Sequence, residues 1–451
     1  MPTLIGTNSA GAGVRYDLGE NDSLYVLPGG YIVSTDGSAI AATGSGQTVT
    51  VAGSVYGDQR GIYMGNDPAV DASQSLRILA GGSVSSPQSG SAAAVRIDAS
   101  YSEVYNEGSI SGGYGILIGS VIASGTSTIS NFGSIAGDVY GIRHLGLSVD
   151  ALRVINFGTI SGLTPDTLSF SSNSGDIAVD TIVNRGVMLG GINTGGGEDI
   201  VDNRGGRIEG DVNFSFGNDR YVGTGGGVVI GAVYGDDGAD TFFGNENAAD
   251  VFVGGDGVDT LDFRLGGQVT LALDLSFAQS GAALGDTYFE MENVFGSDIG
   301  NDVIRGNGFG NALFGWGGND SLDGASGNDV LRGGTGVDTL TGGIGNDTFR
   351  FSALNECGDL ITDFGNVITS DDRFQITAAA FGGGLVAGAL AANQFQTRAD
   401  NIAQDADDRF IFNTTDRTLW FDADGNGAGA AVMVADLQAG AVVTAADILL
   451  I

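Results

Sequence analysis

The sequence predicts an all-β fold, in which an N-terminal parallel β-solenoid is followed by parallel β-rolls and a β-rich C-terminal cap. Three observations support this prediction. Of the 451 residues 80 are Gly, yet 42% are hydrophobic; a unit of about 25 residues recurs in the first half; and a nonapeptide recurs in the second. Glycine at this frequency disfavours helices and favours turns. The hydrophobic fraction is too high for a disordered acidic chain.

The chain is strongly acidic, with a formal net charge of −36, one His, one Cys and no Lys. Repulsion from phosphate argues against nucleic acid and anionic lipid as partners. A single His and a single Cys exclude a Cys/His zinc site and a disulfide framework. No apolar run is long enough to span a bilayer, so membrane insertion is not expected. The acidic side chains instead require a cation.

The first repeat is a Gly-x-hydrophobic unit whose glycines are Gly30, Gly53, Gly82, Gly108, Gly133, Gly158, Gly186 and Gly206. Its fullest form begins with an asparagine, as in Asn106-Glu-Gly-Ser-Ile-Ser-Gly, and appears again from Asn131 and Asn156. Segments this short bury a face only by stacking coil on coil. Residues ~20–210 are therefore predicted to form a parallel β-solenoid of about eight coils. The three asparagines should stack at one corner and exchange side-chain amide hydrogen bonds.

From residue 194 the repeated unit becomes Gly-x-Asp-x-hydrophobic, with its aspartates at Asp199, Asp219, Asp240 and Asp259. Their nearly even spacing, close to the length of one coil, places one such aspartate in each coil. This spacing indicates that the solenoid continues with a different chemistry at one corner.

Residues 297–350 divide into six consecutive nonapeptides, of which the last four best fit the pattern Gly-Gly-x-Gly-x-Asp-x-U-x, where U is apolar. The first two, 297–305 and 306–314, are weaker, and the second has Asn311 in place of the aspartate. Six residues form a tight turn that needs glycine at positive φ, and three form a short strand whose middle residue points inward. The inward row is predicted to be Ile304, Leu313, Leu322, Leu331, Leu340 and Phe349. Two nonapeptides close one coil, so Asp302, Asp320 and Asp338 should stack on one side, and Asn311, Asp329 and Asp347 on the other.

Stacked carboxylates about 5 Å apart repel by about 3 kcal/mol per pair at an effective dielectric constant of 20. Ca²⁺ between neighbouring turns reverses the sign of this interaction, because it is a hard ion that takes six to eight oxygen ligands. Glycine-rich turns expose backbone carbonyls, and aspartate reaches the ion with a short, stiff side chain. The pattern therefore predicts several Ca²⁺ ions as cofactors.

With these motifs in place, residues ~235–451 resemble the RTX (haemolysin-type) calcium-binding family. The resemblance extends beyond the repeats to 289–297 (FEMENVFGS), 359–364 (DLITDF) and 419–427 (LWFDADGNG). It implies parallel β-rolls, Ca²⁺-dependent folding, and export of a bacterial protein by a type I secretion apparatus with an uncleaved C-terminal signal. The expected location is extracellular, with association at the cell surface as one form of it. The tail Asp447–Ile451 fits either that signal or a last edge strand.

The resemblance also implies the ligands of an ion that lies between two successive turns on one side. These are the aspartates of both turns, the backbone carbonyls of the second and fourth residues of the earlier turn, and those of the first and third residues of the later turn. Between the turns at 315 and 333 the ligands are Trp316, Gly318, Asp320, Gly333, Thr335 and Asp338. Between 324 and 342 they are Ala325, Gly327, Asp329, Gly342, Ile344 and Asp347. Between 297 and 315 they are Asp298, Gly300, Asp302, Gly315, Gly317 and Asp320.

Two further sites depart from the family pattern. The site that combines Gly324, Ser326 and Asp329 with the turn at 306 lacks a charge, because Asn311 replaces the aspartate there. A site that pairs Asp240 with Asp259, with carbonyls from Gly238, Gly254 and Asp256, spans an irregular ten-residue unit. Asp359, in the segment that leaves the roll, is a further candidate ligand.

The predicted domains are a solenoid at 1–193, a first Asp-repeat calcium segment at 194–263, a connector at 264–296, the nonapeptide roll at 297–350 and the cap at 351–451. Three functions compete. The first is a Ca²⁺-stabilised structural, surface-layer or adhesive protein, with self-assembly or a surface polysaccharide as its further partner. The second is an extracellular carbohydrate-active β-helix enzyme: a hydrolase, lyase or epimerase. The third, a pore-forming toxin, lacks an apolar segment. No catalytic set is visible, which favours the first.

Overall fold

The computed structural model of the chain describes residues 3–67, 71–88, 90–119, 125–145, 150–170, 177–244, 249–367 and 370–451. The fold is nearly all-β, with long parallel sheets that stack as a β-solenoid and β-roll, and a mixed sheet near the C-terminus. The chain divides into two compact units. Unit one comprises 1–243 and 250–257, and unit two comprises 244–249 and 258–451.

In unit one, each coil contributes strands to two parallel sheets. Strands of the first sheet are Thr3–Gly6, Ser23–Val26, Thr48–Val51, Ser75–Ile78, Glu103–Asn106, Gly125–Asn131, Asp150–Asn156, Thr181–Asn184, Ile200–Asp202, Arg220–Val222 and Thr241–Phe243. Strands of the second are Ser9–Gly11, Tyr16–Leu18, Tyr31–Ser34, Ser38–Ala42, Ser54–Gly57, Arg60–Met64, Ser83–Ser85, Ala93–Ile97, Ser109–Ile118, Ser134–His144, Thr159–Ser169, Val187–Asn193, Arg207–Ile208, Val212–Asn213, Val228–Val229, Val233–Gly238 and Val251–Gly257. The coils begin at Thr3–Gly6, which pairs in parallel with Ser23–Val26, so the solenoid starts before the expected residue 20.

The core of unit one is a continuous column of inward-facing apolar residues. Val104, Ile129, Val154 and Ile182 are successive register partners, and each is at most 2% exposed. Because strand side chains alternate between faces, one inward residue per short strand is enough once the coils stack.

The predicted asparagine ladder is confirmed and is longer than expected. Asn106 Nδ2 donates to Asn131 Oδ1, and the same 2.8 Å bond repeats from Asn131 to Asn156, from Asn156 to Asn184 and from Asn184 to Asn203. All five side chains are fully buried. Each amide therefore satisfies its neighbour at a corner that water does not reach.

Unit two contains the nonapeptide roll and the cap. Strands on one side of it are Thr260–Asp262, Asn293–Phe295, Ala312–Gly317, Val330–Thr335, Thr348–Phe351, Arg373–Ile376, Gly388–Ala389 and Ile448–Leu450. The second sheet contains Val269–Ala272, Ser280–Gly281, Val303–Arg305, Ser321–Asp323, Thr339–Thr341, Asp359–Ile361, Phe395–Arg398, Phe410–Asn413, Thr418–Phe421 and Val432–Leu437. The remaining elements are strands Thr287–Phe289, Asn366–Val367 and Ser370–Asp371, the α-helix Ala378–Phe381, and the 3₁₀ helices Leu354–Glu356, Ala392–Gln394 and Ala445–Asp447.

The coil of two nonapeptides predicted for the roll is confirmed. Ile304 is in register with Leu322 and Leu322 with Leu340, while Leu313 is in register with Leu331 and Leu331 with Phe349. All six residues are at most 1% exposed, as the inward row requires. Alternate nonapeptides therefore lie on the same side.

The cap continues the roll and then closes it with antiparallel strands. Asp359–Ile361 adds in parallel to Thr339–Thr341, and Val432–Leu437 adds to Asp359–Ile361. Residues 422–431 form the connection of an antiparallel hairpin between Thr418–Phe421 and Val432–Leu437. Ile448–Leu450 pairs with Arg373–Ile376 on one side and Gly388–Ala389 on the other, so it is not an edge strand.

Candidate metal centre

The last four nonapeptide turns, which open at Gly315, Gly324, Gly333 and Gly342, share one backbone conformation. The second residue has a positive φ even where it is not glycine, 75° at Trp316 and 74° at Ala325. The fourth residue is glycine, with φ of 129° at Gly318 and 131° at Gly327. Positive φ is unfavourable for residues that carry a Cβ. The stacking of coil on coil, rather than local preference, therefore sets the shape of these turns.

The repeat aspartates form two columns of hydrogen bonds, one on each side of the roll. In each column the backbone N–H of one residue donates to Oδ1 of the equivalent residue in the next coil. The pairs, with their N···Oδ1 distances, are Asp302–Asp320 (2.8 Å), Asp320–Asp338 (2.7 Å), Asn311–Asp329 (2.7 Å) and Asp329–Asp347 (2.8 Å). The two-sided arrangement predicted from the sequence is confirmed.

Each of the inner aspartates uses only one carboxylate oxygen in these bonds. Among the described residues, Oδ2 has no hydrogen-bond partner in Asp320, Asp329, Asp338 and Asp347. These side chains are at most 2% exposed. A buried acceptor without a donor costs about 1–3 kcal/mol, and more when it is charged. The four oxygens therefore mark positions at which the fold calls for a cation.

Each unpartnered oxygen lies against the glycine that opens its own turn. A Cβ on Gly315 would overlap Oδ2 of Asp320, and it would lie 2.6 Å from the carbonyl oxygen of Gly333, which opens the next turn on that side. The same relation joins Gly324, the oxygen of Asp329 and the carbonyl of Gly342. At these two positions glycine leaves room where a carboxylate oxygen and a carbonyl oxygen meet, which a Cβ would fill.

Several of the other expected carbonyl ligands already accept one backbone hydrogen bond. Thr335 O accepts from Gly318 N–H at 3.0 Å, and Ile344 O accepts from Gly327 N–H at 2.8 Å. A carbonyl oxygen has two lone pairs, so each keeps the capacity for a second partner. The side chains of Asp298 and Thr335 are exposed, so these residues can contribute only backbone oxygens to a buried site.

The carboxylates in the columns are electrostatically strained. Burial, with the charges of Asp338 and Asp302 as a further cause, raises the pKa of Asp320 to about 7. Burial and the charge of Asp347 likewise raise the pKa of Asp329 to about 7. Hydrogen bonds from the preceding coil lower both values, but less than burial raises them. Burial also raises the pKa of Asp359 to about 8. A cation would relieve this penalty.

The first members of the two columns are satisfied without an ion. Both carboxylate oxygens of Asp302 accept hydrogen bonds, Oδ2 from Ser297 N–H at 2.6 Å and Oδ1 from Val269 N–H at 2.8 Å. Asn311 receives the N–H of Asn307 at 2.8 Å and donates to Glu292 O at 3.0 Å. The sites expected between the turns at 297 and 315, and between those at 306 and 324, should therefore bind a cation more weakly than the later sites.

The last members of the columns are residues of the cap. Asp338 N–H donates to Oδ1 of Asp359 at 3.1 Å, which places this predicted ligand directly in its column. Asp347 N–H donates to Oδ1 of Asp372 at 2.9 Å. Asp372 was not predicted, because it lies farther from Asp347 along the chain than the regular period of the roll allows. Its signal in the sequence is Asp372-Arg-Phe374, which repeats the spacing of Asp347-Thr-Phe349.

The residues expected at the site of Asp240 and Asp259 belong to two different units. Asp240 lies in unit one with Gly238, Gly254 and Asp256, whereas Asp259 lies in unit two. Within unit one, a Cβ on Gly235 would overlap Asp240 Oδ2 and would lie 2.6 Å from Gly254 O, as at the nonapeptide turns. Within unit two, Asp259 N–H donates to Glu292 at 2.8 Å.

The donors present in these turns suit a hard cation. Every candidate ligand is a carboxylate or carbonyl oxygen, the set that Ca²⁺ prefers. No three His, Cys, Asp or Glu side chains in the described ranges cluster so as to hold a metal by themselves. An ion between turns would therefore take backbone oxygens in addition to two carboxylates.

Comparison with known proteins bears on this site directly. The family model described as RTX calcium-binding nonapeptide repeat (four copies) matches residues 297–331 and 323–353. No curated protein matches the chain. Where the structure describes the chain, none of its helices has the length and apolar character needed to cross a membrane. Residues 297–353 thus carry RTX calcium-binding repeats on a parallel β-roll.

Proposed function

We propose that this protein is a secreted calcium-binding protein whose turns take up Ca²⁺ outside the cell and fold as they do so. The observation that supports this most directly is the set of four buried, unpartnered Oδ2 atoms, in the part of the chain that the structure describes, at Asp320, Asp329, Asp338 and Asp347. The RTX repeat match over 297–353 agrees with it. A bound Ca²⁺ supplies positive charge and accepts several oxygen ligands at about 2.3–2.6 Å.

The chain's own residues prepare these positions. Oδ1 of each aspartate accepts a backbone N–H of the preceding coil, so Oδ2 is left facing the glycine that opens its own turn. The carbonyl oxygens of Gly333 and Gly342 lie beside the same opening glycines as Oδ2 of Asp320 and Oδ2 of Asp329, respectively. Without metal, neighbouring carboxylates oppose the stacking of the coils. Binding free energy is therefore available as folding free energy.

Folding coupled to calcium fits export through a type I secretion apparatus. Intracellular Ca²⁺ is scarce, so the repelling aspartates would keep the repeats open for threading. Millimolar Ca²⁺ outside would then close the roll. Deleting 447–451 should leave the protein inside the producing cell. Export of that deletion variant at the normal level would refute the assignment of the tail as a secretion signal.

The biological role that fits this chain is structural, as a surface-layer or adhesive protein. Coils and the cap that closes them account for the described strands of both units. In this role the solenoid of unit one presents a surface, and the calcium-dependent roll makes its display conditional on an extracellular environment.

Calcium titration of the full chain tests the binding proposal. Protein freed of metal with EDTA should gain β-sheet circular dichroism and protease resistance on addition of Ca²⁺. Mg²⁺ at equal ionic strength should do much less, because it requires stricter octahedral geometry. A metal-free chain with the same spectrum and resistance as the calcium-bound chain would refute the proposal.

Two assays test the structural role. Addition of Ca²⁺ to the purified protein should cause assembly, which light scattering and electron microscopy would detect. The second assay is incubation with polysaccharides, which should leave them unchanged. Depolymerisation or epimerisation of any member of a panel of acidic and neutral polysaccharides would overturn the structural role in favour of an enzyme.

A further inference from the structure

Turns with the conformation of the calcium-type nonapeptide also occur in unit one, on coils that are longer than those of the roll. In the turns 214–219 and 235–240 the second residue has positive φ, 77° at Ser215 and 68° at Asp236. The fourth is glycine, with φ of 143° at Gly217 and 149° at Gly238. These values match those of the nonapeptide turns. Since Ser disfavours this region, the conformation at Ser215 is again imposed by stacking.

The hydrogen bonds between successive turns are the same as in the roll. Gly217 N–H donates to Asp237 O at 2.9 Å, and Asp237 N–H donates back to Ser215 O at 2.9 Å. In the roll, Gly327 N–H donates to Ile344 O at 2.8 Å by the same step from position four to position three. The carbonyls in unit one therefore have the same backbone arrangement as those in the nonapeptides.

The aspartate column is present as well. Asp199 N–H donates to Oδ1 of Asp219 at 2.6 Å, and Asp219 N–H donates to Oδ1 of Asp240 at 2.7 Å. Oδ2 of Asp219 is buried and, within the part of the chain that the structure describes, has no hydrogen-bond partner. Asp219 is 2% exposed. Its hydrogen bonding therefore reproduces that of Asp320 and Asp329 in the roll, although Phe214 rather than glycine opens its turn.

The surroundings of Asp219 are negative. The pKa of Asp219 is raised to about 8. Burial is the largest cause, and the negative charges of Asp199, Asp240 and Glu198 add to it. Arg220 follows directly in sequence, but its guanidinium lies over the ring of Phe243, 4.4 Å from the centroid. The outer face of the turns is an open depression lined in part by Gly197, Asn218 and Asp237, through which an ion can reach them.

We propose that unit one has its own Ca²⁺ site between the turns 214–219 and 235–240. Asp219 and Asp240 supply the carboxylates, and Ser215, Gly217, Gly235 and Asp237 supply backbone carbonyls. This site lies outside 297–353, where the RTX repeats match. This inference rests on the proposed function. It extends calcium binding to coils that carry one aspartate per turn on one side only. The β-solenoid is then itself stabilised by calcium, rather than serving as a metal-free carrier of the roll.

Counting bound ions in the full chain tests this site. Equilibrium dialysis against Ca²⁺ should show at least one ion fewer per chain for Asp219→Asn. Asp58→Asn removes the same charge from an exposed position in an earlier coil of unit one, outside the proposed site. This control should retain the full number. An unchanged count for Asp219→Asn, with Asp329→Asn reduced, would overturn the site in unit one and leave the roll intact. A wild-type chain that binds no calcium would overturn both.

Hydrogen exchange of the unaltered chain keeps the test independent of how the variants fold. Adding Ca²⁺ to the metal-free protein should slow exchange in peptides covering 214–240 at least tenfold. Slowing confined to peptides from unit two would overturn the proposal, since calcium would then act on the roll alone.

Discussion

Replacement of one buried carboxylate by its amide, Asp329→Asn, should change stability in opposite directions with and without calcium. The substitution keeps the side-chain shape, and the new Oδ1 can still accept the N–H of Asn311 that Asp329 accepts at 2.7 Å. What it removes is a buried negative charge beside Asp347. Asn311 already occupies the equivalent place one coil earlier, so the turn tolerates an amide.

The gain without metal follows from the pKa of Asp329. A pKa of about 7 in place of 3.8 corresponds to about 4 kcal/mol against the ionised folded state, and solvent screening at the turn reduces this to about 2 kcal/mol. In EDTA at pH 8 the variant should therefore melt about 4–8 °C higher than the wild type. In Ca²⁺ at about 100 times the dissociation constant, loss of one ion removes about 2.7 kcal/mol, so the variant should melt lower.

Thermal unfolding followed by circular dichroism, in EDTA and in Ca²⁺, measures both effects. Asp371→Asn is the matched control, because it removes the same charge from an exposed position in the same unit. Its melting temperature should change little in either buffer. If Asp329→Asn lowered the melting temperature in EDTA as well, the carboxylate would be stabilising without metal, and the argument for a cation at Oδ2 would fail.

Three further predictions concern other parts of the molecule. Gly333→Ala should raise the Ca²⁺ concentration needed for folding, because the new Cβ would overlap Oδ2 of Asp338. The control Gly308→Ala, whose Cβ would meet nothing within 4 Å, should not raise it, and a calcium titration of both variants measures the difference. Because the folded-state pKa of Asp320 and Asp329 is raised to about 7, the metal-free chain should be most stable below pH 4 and lose stability as pH rises to 7, and calorimetry in EDTA showing the opposite trend would contradict this. Asn131→Ala should lower stability by about 2–4 kcal/mol with or without calcium, because it leaves buried amide groups of the ladder unpaired; denaturant unfolding in both buffers measures this loss, and a loss seen only with calcium would be contrary to expectation.

The roll could be predicted almost completely because its period admits one arrangement. A coil of two nonapeptides fixes which aspartates stack and which residue of each strand points inward. Ile304 and Phe349, the ends of the inward row, are both fully buried as expected. The asparagine ladder was predicted for the same reason, but only where the full motif recurs. Asn184 and Asn203 lack the Ser-Ile or Thr-Ile sequence of the other three and were missed, although both precede Gly-containing turns in the same column.

The rest could not be predicted because the period breaks. The cap joins Val432–Leu437 to Asp359–Ile361 across the whole intervening segment 362–431, and no local spacing indicates that pairing. Asp372 enters its column only after the insertion that includes the 3₁₀ helix Leu354–Glu356. Which carboxylate oxygens lack a partner depends on these distant contacts. The sequence therefore indicated the spacing of the stacked aspartates better than it indicated which of their oxygens lack a partner.

The ends of the columns set how many ions the roll requires. A stack of carboxylates needs other donors at its first and last members, since no further turn continues it. At the start, Ser297 fills this need for Asp302. At the end, Asp372 accepts Gly365 N–H at 2.7 Å, so both of its oxygens are bonded. Between these ends, each unpartnered Oδ2 adjoins the glycine that opens its own turn. The tightly bound ions of the roll should accordingly number four, one for each such oxygen among the described residues, and the pair Asp302–Asp320 should add at most a weaker one.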